Sequence, residues 1–260
     1  MVRAIGFSIV SAAIVMIMAT TEFASAQDLN FSQAAKAAAN DDVDNASALV
    51  VTSDFNRDGL ADIARITLHA DGTSDPDHLL VSLGQRNGAF RPMMSRALPG
   101  QNPCAMVGGD FNNDGNSDLI VGNEDGTLTL LLGDGTGSFS SVHQIPPQSS
   151  VVSIAVADFN NDGIPDIAIS DWRASSVTVL VGSGKGSFEY LRSFPLRMRG
   201  TKPHVATADF NGDGVADIAV IYEQDDGDTY DVMLGNGNGS FTIAPERSLA
   251  RNPNSHCIIL

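Results

Sequence analysis

Apolar and polar positions alternate in short runs along most of this chain, and the runs recur with the same punctuation. In the stretch "SIAVADF" to "PDIAIS" (residues 153–170) two such runs flank an acidic loop. A polar turn "DWRASS", the run "VTVLVG", a Gly-rich turn and "SFEYLRSF" follow. Short, β-branched and often alternating runs between Gly/Asn turns predict strands, because successive side chains of a strand point to opposite faces. "FSQAAKAAAN" (residues 31–40) is the one stretch that tolerates a helix.

The punctuation is itself a repeat. Asp-Phe-Asn begins at Asp54, Asp110, Asp158 and Asp209, in steps of 56, 48 and 51 residues. A second marker keeps phase with it: "LGQRNGAF" ends at Phe90, "LGDGTGSF" at Phe139, "VGSGKGSF" at Phe188 and "LGNGNGSF" at Phe241. About four strands per unit of about 50 residues is the size of a propeller blade. The expected fold is therefore all-β: a β-propeller of four complete four-stranded repeats, over about 45–99, 100–149, 150–199 and 200–250.

The ends add a partial closing blade to that expectation. Phe31 stands 23 residues before Asp54, much as Phe139 stands 19 before Asp158, so "NFSQAAKA" takes the place of the last strand of a preceding blade. "SHCIIL" stops where the next Asp-Phe-Asn is due. If four repeats do not close alone, the array keeps open edges that invite self-association.

Ahead of the repeats, Arg3, the apolar run "AIGFSIVSAAIVMIMAT" and "ASA" at residues 24–26 read as a signal peptide over 1–26. The mature domain then spans 27–260 and lies outside the cytoplasm: secreted, periplasmic or on the cell surface. An uncleaved anchor is the alternative, since the run nearly spans a bilayer. Cys104 and Cys257 lie far apart in sequence, and a bridge between them is left open.

Charge then changes the picture. The formal net charge of -16 argues against nucleic acid and against an anionic membrane surface as partner. The acids are concentrated in the repeated loop, D-F-N-x-D-G-x-x-D. Oxygen-bearing residues at positions 1, 3, 5 and 9, with Gly at 6 for a sharp turn, are the donor type and spacing that calcium takes. The candidate ligands are Asp54, Asn56, Asp58 and Asp62; Asp110, Asn112, Asp114 and Asp118; Asp158, Asn160, Asp162 and Asp166; and Asp209, Asn211, Asp213 and Asp217. Backbone oxygens of Leu60, Asn116, Ile164 and Val215 stand at position 7. About four structural Ca²⁺ ions are expected, and four would offset half of the formal charge.

These loops are not EF-hands. Position 12 holds Arg65, Val121, Ile169 and Val220 instead of Glu, and a strand-like run follows in place of a helix. The competing reading is a metal-free Asx-turn. Three Asp retained in each of four copies weigh against it, because crowded carboxylates repel. Phe at position 2 (Phe55, Phe111, Phe159, Phe210) is expected to anchor each loop between blades.

The paired motifs resemble the FG-GAP/VCBS repeat family, whose calcium-loop blades also build integrin α-subunit propellers. The resemblance covers about residues 31–260, with the first unit's "LGQRNGAF" departing from the usual turn. It implies a propeller with Ca²⁺ in the blade loops and a role in adhesion, ligand binding or scaffolding at or outside the cell surface.

Other signals are weaker. "GSGKGS" at 182–187 occupies a slot that reads "GDGTGS" and "GNGNGS" elsewhere, so it is a repeat turn and not a phosphate loop. Trp172 is read as packing in its loop in preference to stacking on a sugar. Neither a zinc spacing nor a Ser/His/Asp elbow is visible. The expectation is a non-enzymatic, secreted calcium-binding propeller whose partner is an extracellular protein or glycan. The alternative is a lectin-like or polysaccharide-hydrolase-associated module.

Overall fold

The computed structural model describes residues 49–67, 76–99, 102–145, 148–197, 202–222, 229–244 and 247–248. The leader, Phe31, "SHCIIL" and Cys257 lie outside them. All described regular structure is β.

Four antiparallel meanders follow one another. Blade one is β1 (Leu49–Ser53), β2 (Asp62–Thr67), β3 (His78–Gly84) and β4 (Phe90–Ala97). Blade two is β5 (Pro103–Gly109), β6 (Asp118–Asn123), β7 (Leu128–Gly133) and β8 (Phe139–Ile145). Blade three is β9 (Ser153–Ala157), β10 (Asp166–Asp171), β11 (Ser176–Gly182) and β12 (Phe188–Pro195). Blade four is β13 (Pro203–Ala208), β14 (Asp217–Tyr222), β15 (Thr229–Gly235) and β16 (Phe241–Ile243), with β17 (Arg247–Ser248) also on β15.

The innermost strands stack in order: β1 against β5, β5 against β9, and β9 against β13. Among the described residues each blade is thus a layer in an open row. In blades one to three the pairing of the two outer strands slips by a bulge, at Val81/Ser82, Leu132/Gly133 and Val179/Leu180. Bulges increase local twist, which suits an outer strand that must swing away from the stacking axis.

The core lies between blades. Val51, Ala64 and Val81 of blade one meet Met106, Leu119, Val121 and Leu131 of blade two. The other face of blade two, through Val107, Ile120 and Leu130, meets Ile154, Ile167, Ile169 and Leu180 of blade three. Ala155, Ala168 and Val179 in turn meet Val205, Ile218, Val220 and Met233 of blade four. The middle blades therefore bury both faces: every residue of β6 and β10 is buried. In blade one, β3 alternates between buried and half-buried.

A second contact recurs at each junction. The Phe of one blade's acidic loop meets the Phe that ends the next blade's Gly-rich turn, edge to face. The ring centroids are 5.6 Å apart for Phe55–Phe139, 5.7 Å for Phe111–Phe188 and 5.5 Å for Phe159–Phe241. Beside each ring pair the loop's Phe carbonyl accepts the turn's amide: Gly137 N–H to Phe55, Gly186 N–H to Phe111 and Gly239 N–H to Phe159, at 2.8–3.0 Å. The anchoring role expected of position 2 is seen at these three junctions.

Candidate metal centre

Each acidic loop leaves the inner strand and returns on the second strand of its blade. Its backbone is forced into a tight turn by left-handed residues at positions 4 and 6. In blade two these are Asn113 and Gly115, with φ of 59° and 81°. Asn tolerates that region better than most residues, and Gly occupies it without a steric cost.

The side chains at positions 1, 3 and 5 wrap this turn. In blade two, Asp110 accepts the N–H of Asp114 at 3.1 Å and that of Gly115 at 2.8 Å. Asn112 Oδ1 also accepts the Asp114 N–H, at 3.1 Å, while its Nδ2 donates to Asp114 Oδ2 at 2.9 Å. Asp114 Oδ1 accepts the N–H of Asn116 at 2.7 Å. The same bonds recur around Asp54, Asn56 and Asp58, around Asp158, Asn160 and Asp162, and around Asp209, Asn211 and Asp213.

Position 9 behaves differently. Asp62, Asp118, Asp166 and Asp217 are fully buried. One carboxylate oxygen accepts the N–H of the loop's Phe, at 2.9 Å in all four blades. The other accepts the N–H of the first Gly of the blade's own turn, Gly84, Gly133, Gly182 or Gly235, at 2.7–2.9 Å. The fourth Asp is thus a strut between loop and turn. Sequence reasoning grouped it with the other acids and missed its glycine partners. The available signal was the Leu/Val-Gly pair that keeps phase in every unit: a Cβ at Gly133 would stand 2.2 Å from the Ser117 carbonyl oxygen.

Burial and charge act together on these struts. Desolvation, opposed by the two backbone N–H groups and helped by the carboxylates at positions 1 and 5, pushes Asp118 and Asp166 up to about 6. Asp62 is raised for the same reasons. At the exposed rim, desolvation of Asp114 is outweighed by the Asn116 N–H, by the Asn112 and Asn116 side chains and by the charge of Arg57, so its carboxyl sits below the usual range. Arg57 comes from the loop of blade one, so neighbouring loops share a cation.

Among the described residues no cluster of three His, Cys, Asp or Glu side chains is arranged as a closed metal cage. The loop stands as a hydrogen-bonded turn. Its donor chemistry nevertheless fits a hard divalent cation: the side-chain groups are carboxylates and amides, and in blade two each of the loop's side-chain oxygens accepts one hydrogen bond and keeps a second lone pair, whereas Asp209 Oδ1 of blade four accepts both Gly212 and Asp213 N–H. Asn112 presents Nδ2 to Asp114, so an ion there would require its amide to turn Oδ1 inward.

Comparison with known proteins agrees with the repeated loop and turn. A family described as FG-GAP-like repeat matches residues 54–121, 110–169 and 168–220. An FG-GAP repeat matches 203–242. The chain belongs to the FG-GAP repeat family. No curated protein gives a match. As an FG-GAP protein it is a β-propeller-type repeat protein, and each matched segment carries one or two of the acidic loops.

The remaining candidates are quickly placed. Trp172 is half-buried in the turn between β10 and β11, and the Arg173 guanidinium lies 5.5 Å from its ring centre. Cys104 is a free thiol that donates to the carbonyls of Val151 at 3.1 Å and Gly122 at 3.4 Å.

Proposed function

We propose that this FG-GAP protein is an exported, calcium-stabilised propeller that binds an extracellular partner and performs no catalysis. The observation that carries the calcium reading is the fourfold loop itself: Asp, Asn and Asp oxygens around one exposed turn, backed by a buried Asp, with three carboxylates in nine residues. A divalent ion supplies the positive charge that this arrangement lacks. In blade two the ligands are Asp110, Asn112, Asp114, Asp118 and the carbonyl of Asn116, and the other loops are equivalent.

The ion's work is structural. The loop holds the Phe ring and carbonyl that clasp the next blade, so fixing the loop fixes the junction. Calcium at ten times Kd adds about 1.4 kcal/mol per site, and four independent sites add roughly 5–6 kcal/mol. That is comparable to the stability of a whole domain.

A non-catalytic role is supported by where the acids are committed: in this reading each loop shares its carboxylates between N–H groups and the ion, so they do not form a free pair for acid–base work. Hollows beside the loops of blades three and four are lined by the loop residues themselves, Asp158, Ile164 and Pro165 in one and Asp209, Val215 and Ala216 in the other. The guanidinium against Trp172 covers one face of the ring, which favours a protein over a sugar at that loop. The leader-like sequence of residues 1–26, with Arg3, an apolar run and "ASA", supports export.

A thermal melt with and without millimolar Ca²⁺ tests the reading, beside Asp114→Ala and Asp162→Ala. A calcium-dependent rise in Tm, reduced in each variant, is expected. A melt indifferent to calcium overturns the metal sites and leaves the blades intact. Reproducible binding to one sugar class on a glycan array would replace the protein partner with a polysaccharide.

A further inference from the structure

Position 4 of the acidic loop takes a left-handed backbone. Blades two, three and four meet that need with Asn113, Asn161 and Gly212, at φ of 59°, 59° and 79°. Blade one meets it with Arg57, at 60°. Gly enters this region freely and Asn more readily than most residues, whereas Arg has no such ease. A residue held in a sparsely populated conformation calls for a contact that compensates it.

The side chain at this position leans on the Gly-rich turn of the next blade. Asn161 Nδ2 lies 2.7 Å from where a Cβ on Gly237 would stand, and Arg57 Cδ lies 3.3 Å from the same point on Gly135, the equivalent glycine of blade two. The Asn amide ends there. Arg57 is longer and continues past the turn, so that its Nη2 lies 3.9 Å from where a Cβ on Gly115 would stand, in the middle of the blade-two loop. The guanidinium of one acidic loop thus lies over the next. Asp114, beside Gly115, responds to it: burial raises this carboxyl, hydrogen bonds from Asn116 and Asn112 lower it, and the charge of Arg57 lowers it further. The acid in the intervening turn, Asp134, is engaged by the N–H and hydroxyl of Thr136, at 2.8 and 2.6 Å. Asn113 and Asn161 bring no charge to the loops that follow them.

We propose that Arg57 is a cation built into the blade-two loop, which offsets the loop's carboxylates in the ion-free chain and holds its calcium affinity below the value it would have without that charge. This rests on the calcium reading above. A guanidinium and a divalent ion that share one set of carboxylates repel each other. In water, and within about one Debye length, a unit charge beside a divalent one changes an affinity roughly two- to tenfold. The order of the blade-two loop therefore depends least on calcium. That loop carries Phe111, which meets Phe188, so the junction of the two blades whose second strands are wholly buried is the one least exposed to a fall in calcium.

Amide spectra of the ¹⁵N-labelled full chain through a calcium titration read each loop at its position-6 glycine: Gly59, Gly115, Gly163 and Gly214. Arg57→Gln keeps much of the stem and removes the charge, and Arg57→Lys keeps the charge. Arg57→Gln is expected to lower the Gly115 midpoint roughly two- to tenfold, to move Gly59 less, and to leave Gly163 and Gly214 in place. The shift should shrink as salt is raised, and Arg57→Lys should keep the Gly115 midpoint of the unsubstituted chain. A Gly115 midpoint that does not fall in Arg57→Gln, or falls no more than that of Gly59, overturns the inference and leaves the calcium reading standing. An equal fall in Arg57→Lys also overturns it, because packing and not charge then sets the affinity. If none of the four glycines responds to millimolar Ca²⁺, the calcium reading fails and this inference with it.

Discussion

Phe111 and Phe188 meet at an interplanar angle of 61° across the junction of blades two and three, and the Phe111 carbonyl accepts Gly186 N–H beside them. The ring pair is thus tied to the backbone of both the acidic loop and the Gly-rich turn. Phe111→Ala removes a 1%-exposed side chain that neighbours on two blades enclose. A loss of about 3–5 kcal/mol in unfolding free energy is expected, since cavity and transfer costs add. Urea denaturation measures it, and a loss below about 1 kcal/mol would mean the junction can collapse onto the gap.

Two glycines separate crowding from backbone strain. At Gly133 a Cβ meets the Ser117 carbonyl at 2.2 Å, while at Gly163 it meets nothing within 4 Å and only the φ of 81° opposes it. Gly133→Ala should therefore cost about 3 kcal/mol or more, because rigid backbone must move and the bond to Asp118 is disturbed. Gly163→Ala should cost about 1–2 kcal/mol, the penalty of a left-handed L-residue. Comparable losses in thermal melts would refute the strut geometry.

The struts set the sign of a pH effect. Asp118 and Asp166 have folded values of about 6 against an ordinary 3.8, so folding favours their protonated forms. Without calcium their contribution improves as pH falls from above 6 towards 3.8 and is lost as pH rises through about 6. Asp114 and Asp209 are shifted downwards, so their contribution is instead lost at lower pH, as it falls below the ordinary carboxylate range. Saturating Ca²⁺ should reverse the trend between pH 4 and 6, because protons then compete with the ion for the same oxygens. Melting curves across pH in chelator and in calcium compare the two, and identical profiles would count against the proposed ion.

Cys104 should resist modification. Burial, with the charge of Glu124, pushes its thiol up to about 12, so almost none is thiolate at neutral pH. Labelling at Cys104, separated from Cys257 by peptide mapping, is expected to be at least about tenfold slower in the folded chain than in denaturant. Equal rates would place the thiol outside the β5–β9 contact.

The sequence by itself determined the repeat unit, the strand runs and the loop's residue types. Strand alternation is local: "VTVLVG" reads as a strand wherever it sits, and the Asn and Gly of "DFNNDG" demand a turn from their own backbone preferences. Position 2 was also legible, since an aromatic in a polar loop has only the core to go to.

The tertiary structure decided what depends on distant neighbours. Three Asp per loop look alike in sequence, yet only the ninth is buried, because Gly133 approaches Asp118 from 15 residues away and closes over it. Blade two buries both faces and blade one does not, a difference the sequence already marks by Arg65 and Ser82 in place of Val121 and Leu131. Phe111 and Phe210 share one motif, but only Phe111 has a described blade to cover it. Residue type fixes what a side chain can bond to, and packing against remote segments fixes whether water is there to compete.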